Sequence, residues 1–424
     1  MNKKTMRVLV IGGGGREHAL AWRLANSPRM PKIFVAPGNA GTAREDYLDN
    51  VPIGSDDFDA LLNFARQEKI DLTVVGPEAP LAAGVVDQFQ QHGLAIFGPS
   101  AAAAQLESSK GFAKAFMQRH NIPTADFRVF EEAEAAHAWL DEVGAPIVVK
   151  ADGLAAGKGV IVAMSLDEAH AAVDQLFLIK GARIVIEEYL QGEEASFITM
   201  VDGKNVLPLA SCQDHKRVGE GDSGANTGGM GAYSPAPIVT PGIHFKAMRQ
   251  VILPAVQGMA QEGNNYVGFL YAGLMIDANG ELKTLEFNCR LGDPETQPVL
   301  MRLKSDLLQL IENAMCGQLD QAEVIWDQRV ALGVVMAAEN YPQSPRTGDN
   351  IGSLPPDSEG MHVFHAGTAL NQEGEITTSG GRVLCVTTLG SNVKQAQQNA
   401  LDVCGQIDWP GAHYRRDIGF RAIK

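Results

Sequence analysis

A glycine-rich loop lies between two strand-like runs in the first half of the chain. The first run, residues 147–150, is apolar until it reaches Lys150. The loop after it contains Gly157, Lys158 and Gly159. Backbone amides and a lysine ammonium placed in this way can bind the oxygens of a triphosphate. The order differs from a Walker loop, because glycine rather than serine or threonine follows Lys158. The pattern favours phosphate binding over its alternative, a flexible hairpin with surface lysines.

A second candidate site lies on the strand-like run at residues 285–290. Residues two apart on a strand share a face, so Glu286, Asn288 and Arg290 point to the same side. A carboxylate, an amide oxygen and a guanidinium favour a site for Mg²⁺ and an anion. A purely structural strand rarely buries such groups without partners. The segment 293–295, Asp-Pro-Glu, predicts the start of a helix capped by its aspartate.

Acidic residues follow the apolar strand-like run at residues 184–187. Glu187 and Glu188 stand at its end, and Glu194 follows a short turn. Carboxylates and backbone groups at such a point can bind the ribose and base of a nucleotide. Acidic strand ends are common, so this pattern alone does not separate a nucleotide hinge from an ordinary strand end.

Four glycines, residues 12–15, follow the first strand-like run and precede a helical one. A dinucleotide-binding fingerprint needs a third glycine where this chain has Glu17. It also needs an acidic residue after the second strand, where this chain continues to Asn39. A nicotinamide cofactor is therefore disfavoured. The turn still predicts free amides at a helix N-terminus, suited to a phosphate group, with a tight turn that binds nothing as the alternative.

Two further polar strand ends are candidates for substrate binding. Glu78 follows the third strand-like run, where ligands gather in an open parallel sheet, or it compensates a helix N-terminus. Asp214 and Lys216 end another strand and precede a glycine-rich loop at residues 219–231. That loop predicts a lid over a polar substrate, with an exposed loop as the alternative. The histidines show no metal-ligand spacing, and we expect them to be structural.

The elements that must position these residues follow a regular order at the N-terminus. Between residues 7 and 100, short apolar runs alternate with helical stretches, which predicts a parallel sheet covered by helices. One helix is predicted at 101–119 and a compact α+β block at 127–190. The last part, from residue 330, is predicted to be β-rich with a helix at 392–404. The fold class is α/β and α+β, in several domains.

Composition narrows the possible functions. The 424 residues include 50 Asp and Glu against 35 Lys and Arg, a formal net charge of −15. Such a charge argues against nucleic acid or an anionic membrane as a partner. The five cysteines are scattered, so neither a zinc knuckle nor a disulfide framework is predicted. No apolar stretch approaches the roughly 20 residues of a membrane span, and we expect a cytoplasmic protein.

Taken in order, these motifs resemble those of one family. The loop with Lys150, the hinge at 187–190 and the strand at 286–290 are similar to the ATP-grasp ligases. The resemblance narrows to the phosphoribosylamine–glycine ligase family through the runs GGGREHALAW, APGNAGT, VGPEAPL, KADGLAAGKGV, QDHKR, NTGGMGAYSP and EFNCRLGDPETQ. It extends over essentially the whole chain, including TSGGRVLCVT near the C-terminus.

The resemblance implies a domain organisation and a reaction. A Rossmann-like substrate domain would occupy residues 1–105, an ATP-grasp region 106–330 with a mobile lid-like part at about 126–192, and a small β-rich α+β domain 331–424. The reaction would join glycine to 5-phosphoribosylamine with ATP and Mg²⁺ or Mn²⁺. Its products would be glycinamide ribonucleotide, ADP and phosphate, formed through glycyl phosphate in purine biosynthesis. We expect a monomer whose partners are these small molecules.

The resemblance also implies a role for individual residues. Phosphates, adenine and ribose of ATP would be bound by Lys110, Lys150, Gly157, Lys158, Gly159, Glu187, Glu188, Leu190 and Glu194. The metal would be bound by Glu286 and Asn288. Phosphoribosylamine would be bound by Gly13, Gly14, Gly15, Asn39 and Glu78. Glycine or its acyl phosphate would be bound by Asp214, Lys216 and Arg290. The catalytic groups would be Arg290, Lys150 and Asp214.

Three other interpretations have distinguishing features. Another ATP-grasp carboxylate–amine ligase would not release ADP in a manner that depends on both glycine and phosphoribosylamine. A nicotinamide oxidoreductase would need the missing glycine and the acidic strand end. A non-catalytic ATP sensor would bind ATP without substrate-dependent turnover.

Overall fold

The N-terminal part of the computed structural model, which describes residues 5–154, 159–179 and 181–423, is a parallel sheet. Its strands are β1 (Arg7–Gly12), β2 (Lys32–Pro37), β3 (Leu48–Asn50), β4 (Leu72–Val75) and β5 (Ile96–Phe97), in the order β3-β2-β1-β4-β5. The accompanying helices are α1 (Gly15–Ala25), α2 (Phe58–Gln67), α3 (Glu78–Ala82) and α4 (Val85–Gln91). Alternate residues of β1 belong to two different apolar cores, so both sheet faces are covered. The predicted parallel sheet is confirmed.

Ser109 interrupts the single helix that was predicted at residues 101–119. The segment forms α5 (Ala101–Ser108) and α6 (Lys110–Arg119), and the backbone of Ser109 is extended, with φ of −136°. Its hydroxyl accepts a backbone N–H of α6 at 3.1 Å and so caps that helix. The prediction was wrong because the apolar pattern continues across the break. The break places Lys110 at the beginning of α6.

A small antiparallel sheet with two helices follows. Its strands are β6 (Phe127–Phe130), β7 (Ile147–Ala151), β8 (Val160–Ala163) and β9 (Ile184–Glu188), in the order β6-β9-β7-β8. The helices α7 (Ala133–Val143) and α8 (Leu166–Phe177) pack on the face that carries Val149 and Ile186. Because side chains alternate along a strand, Lys150 and Glu187 lie on the opposite face.

The rest of the chain supplies the remaining strands and helices. The strands are β10 (Glu193–Asp202), β11 (Val206–Pro208), β12 (Gln213–Asp214), β13 (Arg217–Gly219), β14 (Ser223–Asn226), β15 (Gly231–Ser234), β16 (Val267–Ile276), β17 (Leu282–Asn288), β18 (Val330–Ala337), β19 (Met361–His365), β20 (Thr368–Leu370), β21 (Ile376–Thr378) and β22 (Arg382–Gly390). The helices are α9 (Pro241–Lys246), α10 (Leu253–Gln261), α11 (Thr296–Arg302), α12 (Leu307–Met315) and α13 (Val393–Cys404).

Two larger sheets are built from these strands. The central sheet is antiparallel, with the order β11-β10-β16-β17. The last sheet has the order β12-β15-β18-β22-β19, so it combines strands from both sides of residue 331. A boundary at 331 would therefore fall inside β18 and divide one sheet, and the domain bounds stay a prediction. No helix among the described residues is long and apolar enough to cross a membrane.

Two predicted helix starts have different outcomes. Asn392 caps α13 by accepting the N–H of Gln395 at 2.9 Å, so that helix lies where it was predicted. The predicted start at Asp293 was wrong, because α11 begins only at Thr296. The carboxylate of Asp293 instead forms an ion pair with Arg382 at 3.1 Å, which removes it from a capping position.

Candidate active site

A cleft of about 600 Å³ opens between the small sheet, α6 and the central sheet. It brings together most of the residues predicted to bind ATP, metal and glycine: Lys110, Lys150, Gly159, Glu187, Glu188, Leu190, Glu194, Asp214, Lys216, Glu286, Asn288 and Arg290. Glu78, which was predicted to bind phosphoribosylamine, also lines this cleft. Gly157 and Lys158 lie outside the described residues.

A second cavity, of about 360 Å³, lies at the carboxyl ends of β1 and β2. Gly13, Gly14 and Asn39 line it, as predicted for one substrate site, whereas Gly15 does not. Gly15 is buried at the first position of α1. Asp293 and Arg382 line both cavities, so the two cavities are neighbours.

Glu187 lies between two lysines in the first cleft. Its carboxylate forms ion pairs with Lys114 of α6 and Lys150 of β7, and each of the three residues is at most 7% exposed. Burial opposes ionisation of Glu187, but the two ammonium groups lower its pKa overall. Two cations share one anion, so this triad carries a net positive charge into the cleft. Sequence reasoning missed Lys114, although it follows Lys110 by one helical turn on α6.

Lys110 approaches the same region from the beginning of α6. Its ammonium donates to the carbonyl of Gly153 at 2.8 Å, and burial lowers its pKa. Asp152 accepts the backbone N–H of Gly111 at 3.2 Å and the Nε–H of Arg183 at 2.5 Å. These bonds attach the beginning of the glycine-rich loop to α6, so Lys110 and Lys150 face the same part of the cleft.

Acidic and basic groups alternate at the opposite wall of the cleft. Lys216 forms an ion pair with Glu194 and lies 4.0 Å from a carboxylate oxygen of Glu286. Asp214 is 7% exposed. Burial is the main cause that raises its pKa to about 8, and Glu295 adds to it while Lys216 opposes it. Asp214 therefore retains a proton near neutral pH and can donate a hydrogen bond.

Arg290 is held by two carboxylates. Its Nε lies 3.2 Å from Glu78, its Nη2 lies 2.8 Å from Glu107, and its Nη1 donates to the carbonyl of Leu291 at 3.1 Å. Arg16 also contacts Glu78, at 3.4 Å. Burial opposes ionisation of Glu78, but Arg290 and Arg16 lower its pKa to about 2. Three of the five N–H groups of Arg290 therefore point to partners among the described residues.

The glycine turn after β1 differs from its prediction in one respect. The N–H of Gly14, which we expected to be free, donates to Glu17 at 2.7 Å. A side chain at Gly13 would bring its Cβ within 2.6 Å of the carbonyl of Gly38, which explains the glycine. Asn39 donates to the carbonyls of Gly13 and His365, at 3.0 and 2.8 Å. Asn39 therefore positions the walls of the second cavity.

Glu286 and Asn288 fit a divalent metal ion. They lie two apart on β17 and both line the first cleft. Burial opposes ionisation, but Lys216, Lys150 and the neighbouring cations lower the pKa of Glu286, so its carboxylate stays charged. Among the described residues, its closest cation is Lys216, at 4.0 Å. An ionised carboxylate oxygen beside an amide oxygen is the donor set that hard cations prefer.

The cleft residues without a predicted role in binding or catalysis include Glu107, Lys114, Glu295 and Arg382. Glu107 holds Arg290, and Lys114 holds Glu187. Glu295 accepts the hydroxyl of Ser196 at 2.9 Å. Arg382 donates to the carbonyls of Gly228 and Asp293, each at 2.6 Å. Each of these residues contacts a residue that is distant in sequence, so only the tertiary structure shows the contact.

Three family profiles match the chain. They are the N domain of phosphoribosylglycinamide synthetase at residues 6–107, its ATP-grasp (A) domain at 108–296 and its C domain at 331–421. The chain is 60% identical to the phosphoribosylamine–glycine ligase of Ralstonia nicotianae, over 99% of this chain and 100% of that protein. It is also 60% identical to the Escherichia coli K12 protein of that name, over 99% of each.

Solved structures agree with these matches. The phosphoribosylamine–glycine ligase of Thermotoga maritima is 34% identical, covers 97% of this chain and 100% of that one, and has a TM-score of 0.83. A biotin carboxylase from Campylobacter jejuni, at 16% identity and a TM-score of 0.73, covers 99% of this chain and 95% of that one. At this low identity, the similarity to the biotin carboxylase shows only that the two proteins share a fold.

Fold, cleft and relatives together define an ATP-grasp ligase, an enzyme that forms a C–N bond with the use of ATP. The profiles span most of the chain, and the relatives match it from end to end. The chain belongs to the phosphoribosylglycinamide synthetase family.

Replacing Glu187 by glutamine should destabilise the fold by about 3–5 kcal/mol, because it leaves Lys114 and Lys150 buried without a counter-charge. Glu188→Gln is the matched control, since the neighbouring carboxylate is 43% exposed and pairs with Lys283. Urea unfolding followed by circular dichroism measures both variants. Equal unfolding midpoints for the two variants would contradict the role of Glu187.

The raised pKa of Asp214 predicts a pH-dependent stability. Between about pH 5 and pH 8 the native chain keeps a proton that the unfolded chain, with an Asp pKa of about 3.9, has lost. The free energy of unfolding therefore falls as pH rises, by up to about 1.4 kcal/mol per pH unit from this group. Asp214→Asn should remove that slope, and exposed Asp408→Asn should keep it. Urea unfolding across this range measures the slope; identical slopes in both variants would refute the assignment.

Proposed function

We propose that the chain joins glycine to 5-phosphoribosylamine with ATP, giving glycinamide ribonucleotide, ADP and phosphate. The observation that carries this proposal is a pair of neighbouring cavities that share Asp293 and Arg382, one lined by lysines and acidic residues and one at the glycine turn. Two neighbouring sites suit a reaction in which an acid activated at one site meets an amine held at the other. The reaction is a step of purine biosynthesis, and we place it in the cytoplasm, with the chain acting as a monomer.

The chemistry has two steps. A carboxylate is unreactive toward amines, so a glycine oxygen first attacks the γ-phosphorus of ATP, and ADP leaves with the bridging oxygen. The amine of phosphoribosylamine then attacks the carbonyl carbon of glycyl phosphate. Phosphate leaves, and the amine gives up one proton. Both steps depend on positioning and on neutralising phosphate charge.

The positive triad supplies that neutralisation. Lys150 and Lys110 bind ATP phosphates, while Lys114 and Glu187 hold Lys150 in place. Glu187 is buried, so its side chain positions Lys150, and its backbone lies in β9 between β6 and β7. The backbone of Leu190 meets adenine, and Glu188 and Glu194 lie at the ribose. Gly157, Lys158 and Gly159 complete the phosphate loop.

The metal ion is bound by Glu286 and Asn288. Mg²⁺ or Mn²⁺ supplies charge stabilisation to the phosphate oxygens when it is bound. Within the chain, Lys216 and Lys150 keep Glu286 ionised and ready to bind a cation. Lys216 at 4.0 Å steadies the carboxylate without filling the whole site.

Glycine is bound between Arg290, Asp214 and Lys216. The other two N–H groups of Arg290 bind the glycine carboxylate or its acyl phosphate, and Glu78 and Glu107 fix the plane of the guanidinium. Asp214, protonated near neutral pH, donates a hydrogen bond to an oxygen that gains charge. Lys216 adds a positive charge to the same part of the cleft.

Phosphoribosylamine is bound in the second cavity. Gly13 and Gly14 bring backbone close to it, Gly15 packs behind them, and Asn39 fixes the turn. Glu78 lines the first cleft and not the second cavity, so it acts on the amine from the side of the first cleft. Arg382 lines both cavities and brings a positive charge to the anionic substrate.

The proposal is tested by ADP release measured with each substrate omitted in turn. We expect ADP release that requires both glycine and phosphoribosylamine. Full release with glycine and a different amine would favour another ATP-grasp carboxylate–amine ligase. ATP binding without any substrate-dependent release would indicate a non-catalytic ATP sensor.

Glu286→Gln should lower turnover by about 10²-fold or more, because it removes a charge from the metal site. Glu281→Gln is the control, since Glu281 is 67% exposed at the other end of the β16–β17 hairpin and pairs with Lys246. ADP release and circular dichroism are measured for both variants. A folded Glu286→Gln chain with the turnover of the control would show that the metal site is wrongly assigned.

Arg382→Lys should raise KM for phosphoribosylamine by about 10-fold or more, with little change in KM for ATP. Lysine keeps the charge but loses the planar group that donates to Gly228 and Asp293. Arg346→Lys is the control, because Arg346 is 43% exposed and pairs with Asp349. Initial rates at varied substrate concentration give both constants. Equal rises in both KM values would place the effect outside the second cavity.

A further inference from the structure

Two histidines on the helices of the small sheet face each other in matched surroundings. The Nδ1 atoms of His137 in α7 and His170 in α8 are 2.6 Å apart. The Nε2 atom of His137 lies 2.9 Å from Asp174, and that of His170 lies 3.0 Å from Asp141. Each histidine therefore pairs with the aspartate of the other helix.

The sequence contains the same short motif in both helices. His137 precedes Asp141 by four residues in HAWLD, and His170 precedes Asp174 by four residues in HAAVD. The reciprocal pairing shows that the two motifs run antiparallel at the same level. Neither helix has two histidines at ligand spacing, so the pair exists only because the helices pack together.

The hydrogen bonds define where the histidine hydrogens lie. A carboxylate only accepts, so the Nε2 of each ring carries the hydrogen that is donated to its aspartate. The two Nδ1 atoms then direct lone pairs at each other across 2.6 Å. Two lone pairs repel at that distance, so either one ring carries a second hydrogen, on its Nδ1, or a metal ion lies between the rings. Metal-binding histidines have this arrangement, with the second ring nitrogen donating to a carboxylate.

We propose that His137 and His170 bind a divalent transition-metal ion of the Zn²⁺ type through their Nδ1 atoms. Imidazole nitrogen suits Zn²⁺, Cu²⁺ and Ni²⁺ and is a poor ligand for Mg²⁺. Two Zn–N bonds in tetrahedral geometry place the nitrogens about 3.3 Å apart, so the rings must separate by about 0.7 Å. The side chains are 28% and 27% exposed, which lets water supply the remaining ligands.

The site lies away from the nucleotide cleft. α7 and α8 cover the face of the small sheet opposite Lys150 and Glu187, so this metal is separate from the one at Glu286. An ion that joins the two helices binds the folded chain only, and it therefore stabilises the small sheet and its helices.

A second histidine cluster in the described residues lacks this chemistry. Ligand atoms of His18, Glu45 and His362 lie within 4.8 Å of one another. The Nδ1 of His18, however, accepts the backbone N–H of His365 at 2.9 Å. Its Nε2 must then carry the hydrogen, which points to Glu45 at 3.5 Å and leaves no lone pair for a metal.

Zn²⁺ titration of the full chain by calorimetry tests the proposal. Every variant carries Cys316→Ser, because Cys316 is exposed and free. We expect one Zn²⁺ per chain at this site, with affinity at least about 10-fold lower after His137→Ala or His170→Ala. Asp174→Ala should lower it by about 10-fold through loss of the ring's partner. His92→Ala, at an exposed histidine of the N-terminal part, is the matched control and should bind normally.

Two results would overturn the proposal. One is Zn²⁺ binding that is the same in His137→Ala, His170→Ala and the control. The other is a parent chain without Zn²⁺ binding, in which nuclear magnetic resonance finds a proton shared by the two rings. Circular dichroism verifies folding, and His137→Gln and His170→Gln replace any alanine variant that fails to fold.

Discussion

The ion pairs between Glu187 and two buried lysines are the interaction on which the cleft depends. They join α6 to β7 and β9, so one carboxylate fixes the helix that begins with Lys110 against the sheet that carries Lys150. Two cations and one anion leave one positive charge with almost no solvent around it. Such a charge is costly without a further anion nearby, and we propose that a nucleotide phosphate is that anion. The arrangement that positions the lysines therefore fits the proposed binding of ATP.

A second set of contacts shapes the proposed substrate sites. Asp293 and Arg382 form an ion pair that lines both cavities, and Arg290 is held in the first cleft by Glu78 and Glu107. These groups come from the N-terminal sheet, the central sheet and the last sheet. The proposed acyl transfer therefore takes place where these three parts of the chain meet, and each part contributes residues that line the site.

Much of the fold was predictable, because local patterns determine it. The apolar runs of β1, β2 and β4 and the glycine turn at Gly13 gave the parallel sheet, and period-two alternation gave the shared face of Glu286 and Asn288. The break at Ser109 was not predictable, since one capping hydroxyl decides it. Partners such as Glu107 were not predictable, because each contacts a residue that is distant in sequence. The backbone N–H of Gly14 was expected to be free, but it donates to the side chain of Glu17.

The most direct test of the central claim follows the oxygen atoms of glycine. Glycine labelled with ¹⁸O in its carboxylate is supplied with ATP and phosphoribosylamine, and the released phosphate is analysed by mass spectrometry. If a glycine oxygen attacks the γ-phosphorus and later leaves with it, each phosphate carries one ¹⁸O. Unlabelled phosphate, released together with glycinamide ribonucleotide, would contradict activation of glycine as an acyl phosphate.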